Sequence, residues 1–279
     1  MMLLDGKKVK KEILEDIKKE LIEINRPLGL TVIQVGEDPA SKVYVGQKEK
    51  MAIELGYNFS HVKLDENITE EELLHIIDEI NEDEMVDGLL VQMPLPKHIN
   101  AKTVQNRIAP NKDVDGLCDI NAGKLMHNVD TLVPCTPYGI MDILDNYGIE
   151  VAGKNVVVVG RSDLVGKPIA QLMLNSNATV TVCHSKTADL AMYTKLADIL
   201  VVAVGIPNFI TGDMIKEDAV VVDVGINRVE GKLIGDVEYD TAVEKASYIT
   251  PVPGGVGQMT VAELGRNVLK AYRLTYEEK

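Results

Sequence analysis

Cysteine is scarce in this 279-residue chain: only Cys118, Cys135 and Cys183 occur, an odd number and widely spaced. They cannot form a complete disulfide set, and no CxxC or Cys/His spacing suits zinc, so no metal site is expected. A reducing compartment follows. Cationic residues are also short, with 29 Lys+Arg against 43 Asp+Glu and a formal net charge of −14. A general nucleic-acid binder needs an excess of phosphate-neutralising cations, so that class is excluded. A local basic site for a phosphorylated small molecule stays open. Long apolar runs are missing as well. The uncharged stretch Ile199 to Gly212 contains Gly205 and Pro207 and falls short of the ~18 apolar residues of a membrane span. Met1 to Lys11 is broken by Asp5 and four lysines, unlike a signal peptide. A soluble, cytoplasmic protein with no membrane partner is expected.

What is present is an ordinary folding composition, 46% apolar and 26% charged, in a length that suits about two domains of ~150 residues. The first half alternates helical and strand patterns. Val9, Ile13, Ile17 and Leu21 recur every fourth residue in an amphipathic segment, Lys7 to Asn25. A β-rich run follows at Leu30 to Val35. Asp38-Pro39 then opens a helix running to about Gly56, because Asp caps free N–H groups and Pro is tolerated in the first turn. Phe59 to Leu64 reads as a strand, Thr69 with Glu72 as a capping box, and Leu89 to Met93 as a buried strand. The second half repeats this grammar with strands at Asn155–Gly160, Ala178–Cys183, Ile199–Val204 and Val220–Val224, the first three followed by helices. Such an order predicts an α/β protein of two α/β domains, the second a Rossmann-like, doubly wound parallel sheet. The boundary falls near Thr136-Pro137. A last helix, Thr260 to Tyr272, starts with a second capping box (Thr260, Glu263) and can pack back on the first domain. The expected domains are therefore 1–136 plus 259–279, and 137–258.

The turn Gly160-Arg-Ser-Asp-Leu-Val-Gly166-Lys-Pro168 departs from the G-x-G-x-x-G fingerprint. It still meets the physical need of a phosphate: a glycine turn at a strand end, a helix amino terminus with free N–H groups, and the Arg161 guanidinium. About 20–25 residues on, an NAD site places an acid for the ribose hydroxyls. Here stand His184-Ser185-Lys186, with no acid before Asp189. A hydroxyl and a cation suit a 2′-phosphate, so NADP is expected over NAD.

In the first half, Ser41, Tyr44 and Lys48 fall within an arc of roughly 60° on one helix face, while Val45, Ala52 and Leu55 form the core stripe. A Tyr ring beside a Lys amine suits a flat ligand and proton transfer; ordinary surface residues give the same spacing. Gln92, at the end of an apolar strand, needs a hydrogen-bond partner, either a ligand-site group or a nearby backbone atom. Lys112-Asp113-Val-Asp115-Gly116 is a tight turn whose carboxylates either brace the turn or accept donors from a heterocycle. Pro251-Val-Pro253-Gly-Gly-Val-Gly257 permits close backbone approach to a ligand or is a structural turn.

Taken in order, Ser41-x-x-Tyr44-x-x-x-Lys48, Val91-Gln92-Met-Pro94-Leu-Pro96, Lys112 to Gly116, Pro134-Cys-Thr-Pro137, Gly160-Arg-Ser with Gly166-Lys-Pro168, and Pro251 to Thr260 resemble the bifunctional methylenetetrahydrofolate dehydrogenase/cyclohydrolase family. The resemblance spans nearly the whole chain, from Leu4-Asp5-Gly6-Lys7 to the last helix. It implies two activities at one site in a cleft between the domains: NADP-dependent oxidation of 5,10-methylenetetrahydrofolate to the methenyl cation, then hydrolysis to 10-formyltetrahydrofolate. It assigns Lys48 as the main catalytic group and Gln92 as the residue that orients it. Tyr44 stacks on the aminobenzoate ring and Asp115 anchors the pterin. Ser41, Val91, Met93, Pro94, Pro253, Gly254 and Gly255 belong with the folate, and Gly160, Arg161, Ser162, Ser185 and Ile226 with the cofactor. It also implies a homodimer formed through the nucleotide domains.

Two positions depart from the family pattern. Gln258 stands where a proline is common, which frees one φ angle in its loop. Leu117-Cys118-Asp119 replaces an aromatic, His and Pro, and would put Cys118 near the cleft. Two alternatives to the bifunctional reading are a monofunctional NAD-dependent dehydrogenase and a folate- or nucleotide-binding protein without catalysis.

Overall fold

A computed structural model describes residues 1–276. In chain order the elements begin with β1 (Met2–Leu3), α1 (Gly6–Leu21), β2 (Gly29–Val35), α2 (Pro39–Leu55), β3 (Asn58–Leu64) and α3 (Glu70–Glu82). Then come β4 (Gly88–Val91), α4 (Ala101–Arg107), α5 (Asp119–Met126), α6 (Cys135–Asn146), β5 (Asn155–Val159), α7 (Gly166–Asn175) and β6 (Thr179–Cys183). The remainder is α8 (Leu190–Thr194), β7 (Ile199–Val202), β8 (Val220–Asp223), β9 (Asn227–Val229), β10 (Lys232–Ile234), α9 (Tyr239–Ala242), β11 (Tyr248–Ile249) and α10 (Met259–Tyr276).

Local chemistry accounts for several of these ends. The Asp38 carboxylate accepts the Ser41 N–H at 2.7 Å ahead of α2, Pro39 occupies the first turn, and Gly56 closes the helix in the left-handed conformation at φ 73°. Thr69 and Glu72 form the reciprocal capping box of α3. The second predicted box does not form. α10 already begins at Met259, so Thr260 lies inside the helix, where its hydroxyl meets that of Thr136 at 2.8 Å, and Glu263 is fully buried. The first amphipathic helix also stops at Leu21, short of Asn25. After β7 comes only a 3-10 turn, Gly212–Met214, where a helix was expected.

The chain divides into two compact units. One comprises Ile13–Cys135 and the segment from Val261 onward; the other comprises Met1–Glu12 and Thr136–Thr260. The first is built on a three-stranded parallel sheet, β3-β2-β4. Its central strand β2 is buried at every residue, and Ile33, Leu73, Ile77, Leu89, Val91 and Val104 form the core beside it. The second carries a six-stranded parallel sheet in the order β1-β11-β8-β7-β5-β6. Val157, Leu200, Val202, Val221 and Ile249 fill its core. Residues 1–12, expected with the first domain, group with the six-stranded unit, because β1 pairs with β11 through Met2–Tyr248 and Leu3–Ile249. A two-residue strand at a sheet edge carries no periodic signal, which is why the sequence did not show it. Among the described residues no helix is long and apolar enough to cross a membrane. The three cysteines are free and buried.

Candidate active site and nucleotide site

In the three-stranded unit, α2 turns its core stripe inward: Val45, Ala52 and Leu55 are buried, while Tyr44 is 48% exposed. Lys48 extends from the same helix, and its Nζ donates to Gln92 Oε1 at 2.9 Å. The Gln92 amide is fixed at its other end as well, since Nε2 donates to the Met93 carbonyl at 2.7 Å. Both partners expected for Gln92 are therefore present, and one serves the other: the backbone bond orients the amide so that its oxygen faces the lysine. Ser41 is buried and its Oγ lies 3.4 Å from the same Met93 carbonyl, which precedes the cis Met93-Pro94 bond. Val91 packs its side chain into the core.

The two carboxylates of the 112–116 turn have different employments. Asp113 is buried and accepts the Cys118 N–H and the Asn121 Nδ2–H, both at 2.9 Å, and Asn121 in turn accepts the Thr131 hydroxyl at 2.7 Å. Burial pushes its carboxyl pKa upward. Asp115 is only partly buried and has no hydrogen-bond or ion-pair partner among the described residues. It is thus the carboxylate left free to accept an external donor pair. Gly116 makes the turn possible at φ 67°, with Val133 and Pro134 backbone packed where a Cβ would stand.

Sequence reasoning overlooked the floor of this site. Asn267 of α10 is fully buried and donates Nδ2–H bonds to the Val114 and Val133 carbonyls, both at 2.8 Å, tying together the segments on either side of Asp115 and Gly116. Glu263, one turn earlier, lies fully buried with its Oε2 3.2 Å from Arg266 Nη1. Cys135 sits among them. Burial pushes its thiol pKa well above the usual value, the Asp115 and Glu263 carboxylates push it further, and Lys48 pulls it back. The available signal was Glu263 and Asn267 four residues apart inside the apolar stripe of Val261, Leu264 and Val268. Cys118 is structural: its sulfur accepts the Asn121 N–H at 3.5 Å, and burial pushes its thiol up to about 12.

The nucleotide turn belongs to the six-stranded unit. β5 lies between β6 and β7, so the chain reverses direction across the sheet at the carboxyl ends of β5 and β7, the place where open α/β sheets bind ligands. Gly160 adopts φ 128° there, and a Cβ would stand 2.2 Å from the Ala203 carbonyl. Gly166 opens α7 against the Gly160 carbonyl, 2.4 Å from its own missing Cβ. Ser162 Oγ accepts the N–H groups of Val165 at 3.2 Å and Gly166 at 3.3 Å, leaving its hydroxyl hydrogen to donate outward. Arg161, Ser185 and Lys186 are exposed, and among the described residues neither Arg161 nor Lys186 has an ion-pair partner for its side chain. Asp189, the nearest acid, is occupied in capping α8 through the Met192 N–H at 3.2 Å. Free cations and a committed acid fit a phosphorylated ribose. Ile226 is 51% exposed at the carboxyl end of β8.

Pro253, Gly254 and Gly255 also lie in the six-stranded unit, whereas Lys48, Gln92 and Asp115 lie in the three-stranded one. The Gly254 carbonyl accepts the Gly6 N–H at 3.0 Å, and a Cβ on Gly6 would stand 2.1 Å from the Gly255 oxygen. These glycines thus have a packing role of their own. Gln258 closes a 3-10 turn and donates its N–H to the Gly255 carbonyl at 3.0 Å, a bond proline cannot make. The glutamine adds a tie to this loop where a looser loop was expected.

Residues 4–115 match the family model described as tetrahydrofolate dehydrogenase/cyclohydrolase, catalytic domain, and residues 134–276 match its NAD(P)-binding domain. Bifunctional protein FolD of Bacillus subtilis (strain 168) is 53% identical over 277 residues, covering 98% of each chain. A crystal structure of the bifunctional FolD methylenetetrahydrofolate dehydrogenase/cyclohydrolase from Campylobacter jejuni superposes with a TM-score of 0.96 at 46% identity, covering 99% of each chain. The Trypanosoma brucei dehydrogenase-cyclohydrolase, solved with NADP cofactor and inhibitor, gives 0.92 at 38% identity over 99% of this chain and 98% of that one. With both family models matched in order along one chain, and a relative more than half identical over nearly its whole length, the chain belongs to the tetrahydrofolate dehydrogenase/cyclohydrolase family.

Proposed function

We propose that the protein oxidises 5,10-methylenetetrahydrofolate with NADP and hydrolyses the resulting methenyl cation to 10-formyltetrahydrofolate. The three-stranded unit with its α10 segment acts as the folate half and the six-stranded unit as the nucleotide half. The observation that carries this reading is the Lys48–Gln92 pair at 2.9 Å in the same unit as a carboxylate, Asp115, that has no hydrogen-bond or ion-pair partner among the described residues.

Asp115 offers two acceptor oxygens to the planar donor edge of a pterin, and the exposed Tyr44 ring gives the aminobenzoate a stacking face. NADP, when bound, supplies the hydride acceptor; Gly160, Arg161, Ser162, Ser185 and Ile226 are the residues that would hold it. The hydrolytic step needs a group that takes a proton as water adds to the cation. Ring opening then returns a proton to the departing nitrogen, so that water and the methenyl cation give the formyl product and one proton. Lys48, oriented by Gln92, is placed for that work. Ser41, Met93 and Pro94 shape the wall beside it, with Val91 behind them. The monofunctional NAD-dependent alternative lacks support, since among the described residues Arg161 and Lys186 have no ion-pair partner and Asp189 is committed to a helix cap.

The finer expectations also stand as proposals. A homodimer through the six-stranded unit is supported by its edge strand β6, where Val182 is 40% exposed and Leu174 and Met192 are each 54% exposed nearby in the chain. Free buried thiols support work in the cytoplasm, in one-carbon metabolism that feeds purine biosynthesis. The deciding assay supplies methylenetetrahydrofolate with NADP or NAD and follows both the reduced cofactor and the 10-formyl product. Formation of both products with NADP is expected; reduced cofactor without formyl product would overturn the bifunctional reading.

A further inference from the structure

Beyond the residues that face a ligand, the six-stranded unit contains a pair of buried carboxylates that neither activity uses. Asp236 is fully buried. Its Oδ2 accepts the N–H groups of Val204 at 2.7 Å and Gly205 at 2.9 Å, and its Oδ1 accepts the Asn227 side-chain amide at 2.8 Å. Val204 and Gly205 follow β7, and Asn227 follows Ile226 beyond β8, so one carboxylate joins the loops at the carboxyl ends of two adjacent strands. The β7 loop is a lip of the switch point, because the Ala203 carbonyl is the group that Gly160 must be a glycine to approach.

The cluster has a second layer. Asp223 accepts the Gly225 and Asp236 N–H groups, both at 2.9 Å, and the Val237 N–H at 3.0 Å. Space for both side chains is built into the chain: a Cβ on Gly225 would stand 2.2 Å from Asp236 Oδ1, and one on Gly235 would stand 1.7 Å from Asp223 Oδ2. Asp223 thereby holds the backbone of Asp236, and Asp236 holds the two lips. Buried carboxylates whose oxygens are committed to main-chain and amide donors rigidify the segments they join.

We propose that Asp236 is a positioning residue for the nicotinamide cofactor, setting the spacing of the Val204–Gly205 and Ile226–Asn227 lips between which the cofactor is received. The proposal rests on the NADP reading above. Cyclohydrolysis of preformed methenyltetrahydrofolate consumes no cofactor, so it separates positioning of the nucleotide from general loss of structure.

The test uses full-length Asp236→Ala, Asp236→Asn and Asn227→Ala proteins. NADP affinity is measured by titration calorimetry, hydrolysis of methenyltetrahydrofolate by absorbance, and folding by circular dichroism. Asp236→Ala is expected to weaken NADP at least tenfold while hydrolysis stays within about twofold of the parent. Asp236→Asn is the conservative rescue: its oxygen can keep the Val204 and Gly205 donors while its amide meets a flipped Asn227, so NADP binding within about threefold is expected. Should Asp236→Ala fail to fold, Asn227→Ala decides, with a severalfold loss of NADP affinity and unchanged hydrolysis expected. Unchanged NADP affinity in the folded variant, or a parallel fall in hydrolysis, would overturn the proposal. Failure of the parent protein to bind NADP would instead overturn the cofactor reading on which it rests.

Discussion

Two aspartates two residues apart in one turn show how partners, not residue type, set a side chain's role. Asp113 spends its Oδ2 on Cys118 and Asn121, whereas Asp115 has no hydrogen-bond or ion-pair partner among the described residues. On the proposed folate reading, Asp115→Asn would present a donor to the donor edge of the pterin and remove a charged acceptor, a loss of about 1.5–3 kcal/mol, or roughly 10–160-fold in folate KM. Thermal stability should stay close to the parent's. Asp113→Asn should do the reverse, lowering the melting temperature through its buried network with a smaller effect on folate KM in whatever folds. Steady-state kinetics and thermal melts on the pair check this contrast, and equal folate effects would refute it. Lys48 is partly exposed and bonds only to Gln92 among the described residues. Lys48→Met should therefore fold normally and lose nearly all cyclohydrolase activity; near-normal hydrolysis would remove the lysine from its assigned role.

At the scale of elements, the strand-to-helix turn after β5 concentrates close approaches that only glycine allows. Gly160 combines φ 128° with a missing Cβ 2.2 Å from a carbonyl oxygen that belongs to the β7 loop. Strain of this kind costs on the order of 1–3 kcal/mol before any clash is counted. Gly160→Ala should then lose more than about 2 kcal/mol in denaturant unfolding and weaken NADP as the β5 and β7 loops part. An unchanged unfolding midpoint would show that the turn tolerates a side chain. The caps of α2 and α3 were legible because Asp38, Pro39, Thr69 and Glu72 act within one helical turn of themselves. α10 was misread at its start because Thr260 and Glu263 have the spacing of a capping box but are recruited elsewhere, Thr260 by Thr136 and Glu263 into the interior.

For the molecule as a whole, the buried carboxylates make stability depend on pH in an unusual direction. Burial raises Asp223 to about 6, against the pull of three backbone N–H donors. A carboxyl whose folded pKa lies above its unfolded one binds protons more tightly in the native state, so stability falls as pH rises from about 4 to about 6 and stays lowered above that. The cost is at most about 3 kcal/mol. Urea melts of the parent across pH 4 to pH 7 should show this decline, and Asp223→Asn, though less stable outright, should show a shallower one. A parent whose stability climbs throughout that window would contradict the assignment. The proposed dimer is likewise a property of the whole. Light scattering should give twice the chain mass of 30.6 kDa, and Val182→Lys on the β6 edge should shift the population to monomer.

Alternation of apolar runs with capped helices and the parallel α/β class were determined by the amino-acid sequence, which also put forward Tyr44, Lys48, Gln92 and Asp115 as the proposed site. Each is signalled by residues within a turn, a strand or a short motif of one another. Tertiary structure decided what depends on distant neighbours. It attached residues 1–12 to the six-stranded sheet through two residues of β1, left Asp115 without a partner among the described residues while engaging Asp113, and committed Asp189 to a helix cap. It also brought Asn267 to carbonyls 153 and 134 positions away and Asp236 to donors 31 and 32 positions away. A buried polar side chain is read by the groups it must satisfy, and those groups are chosen by the fold, not by the adjoining sequence.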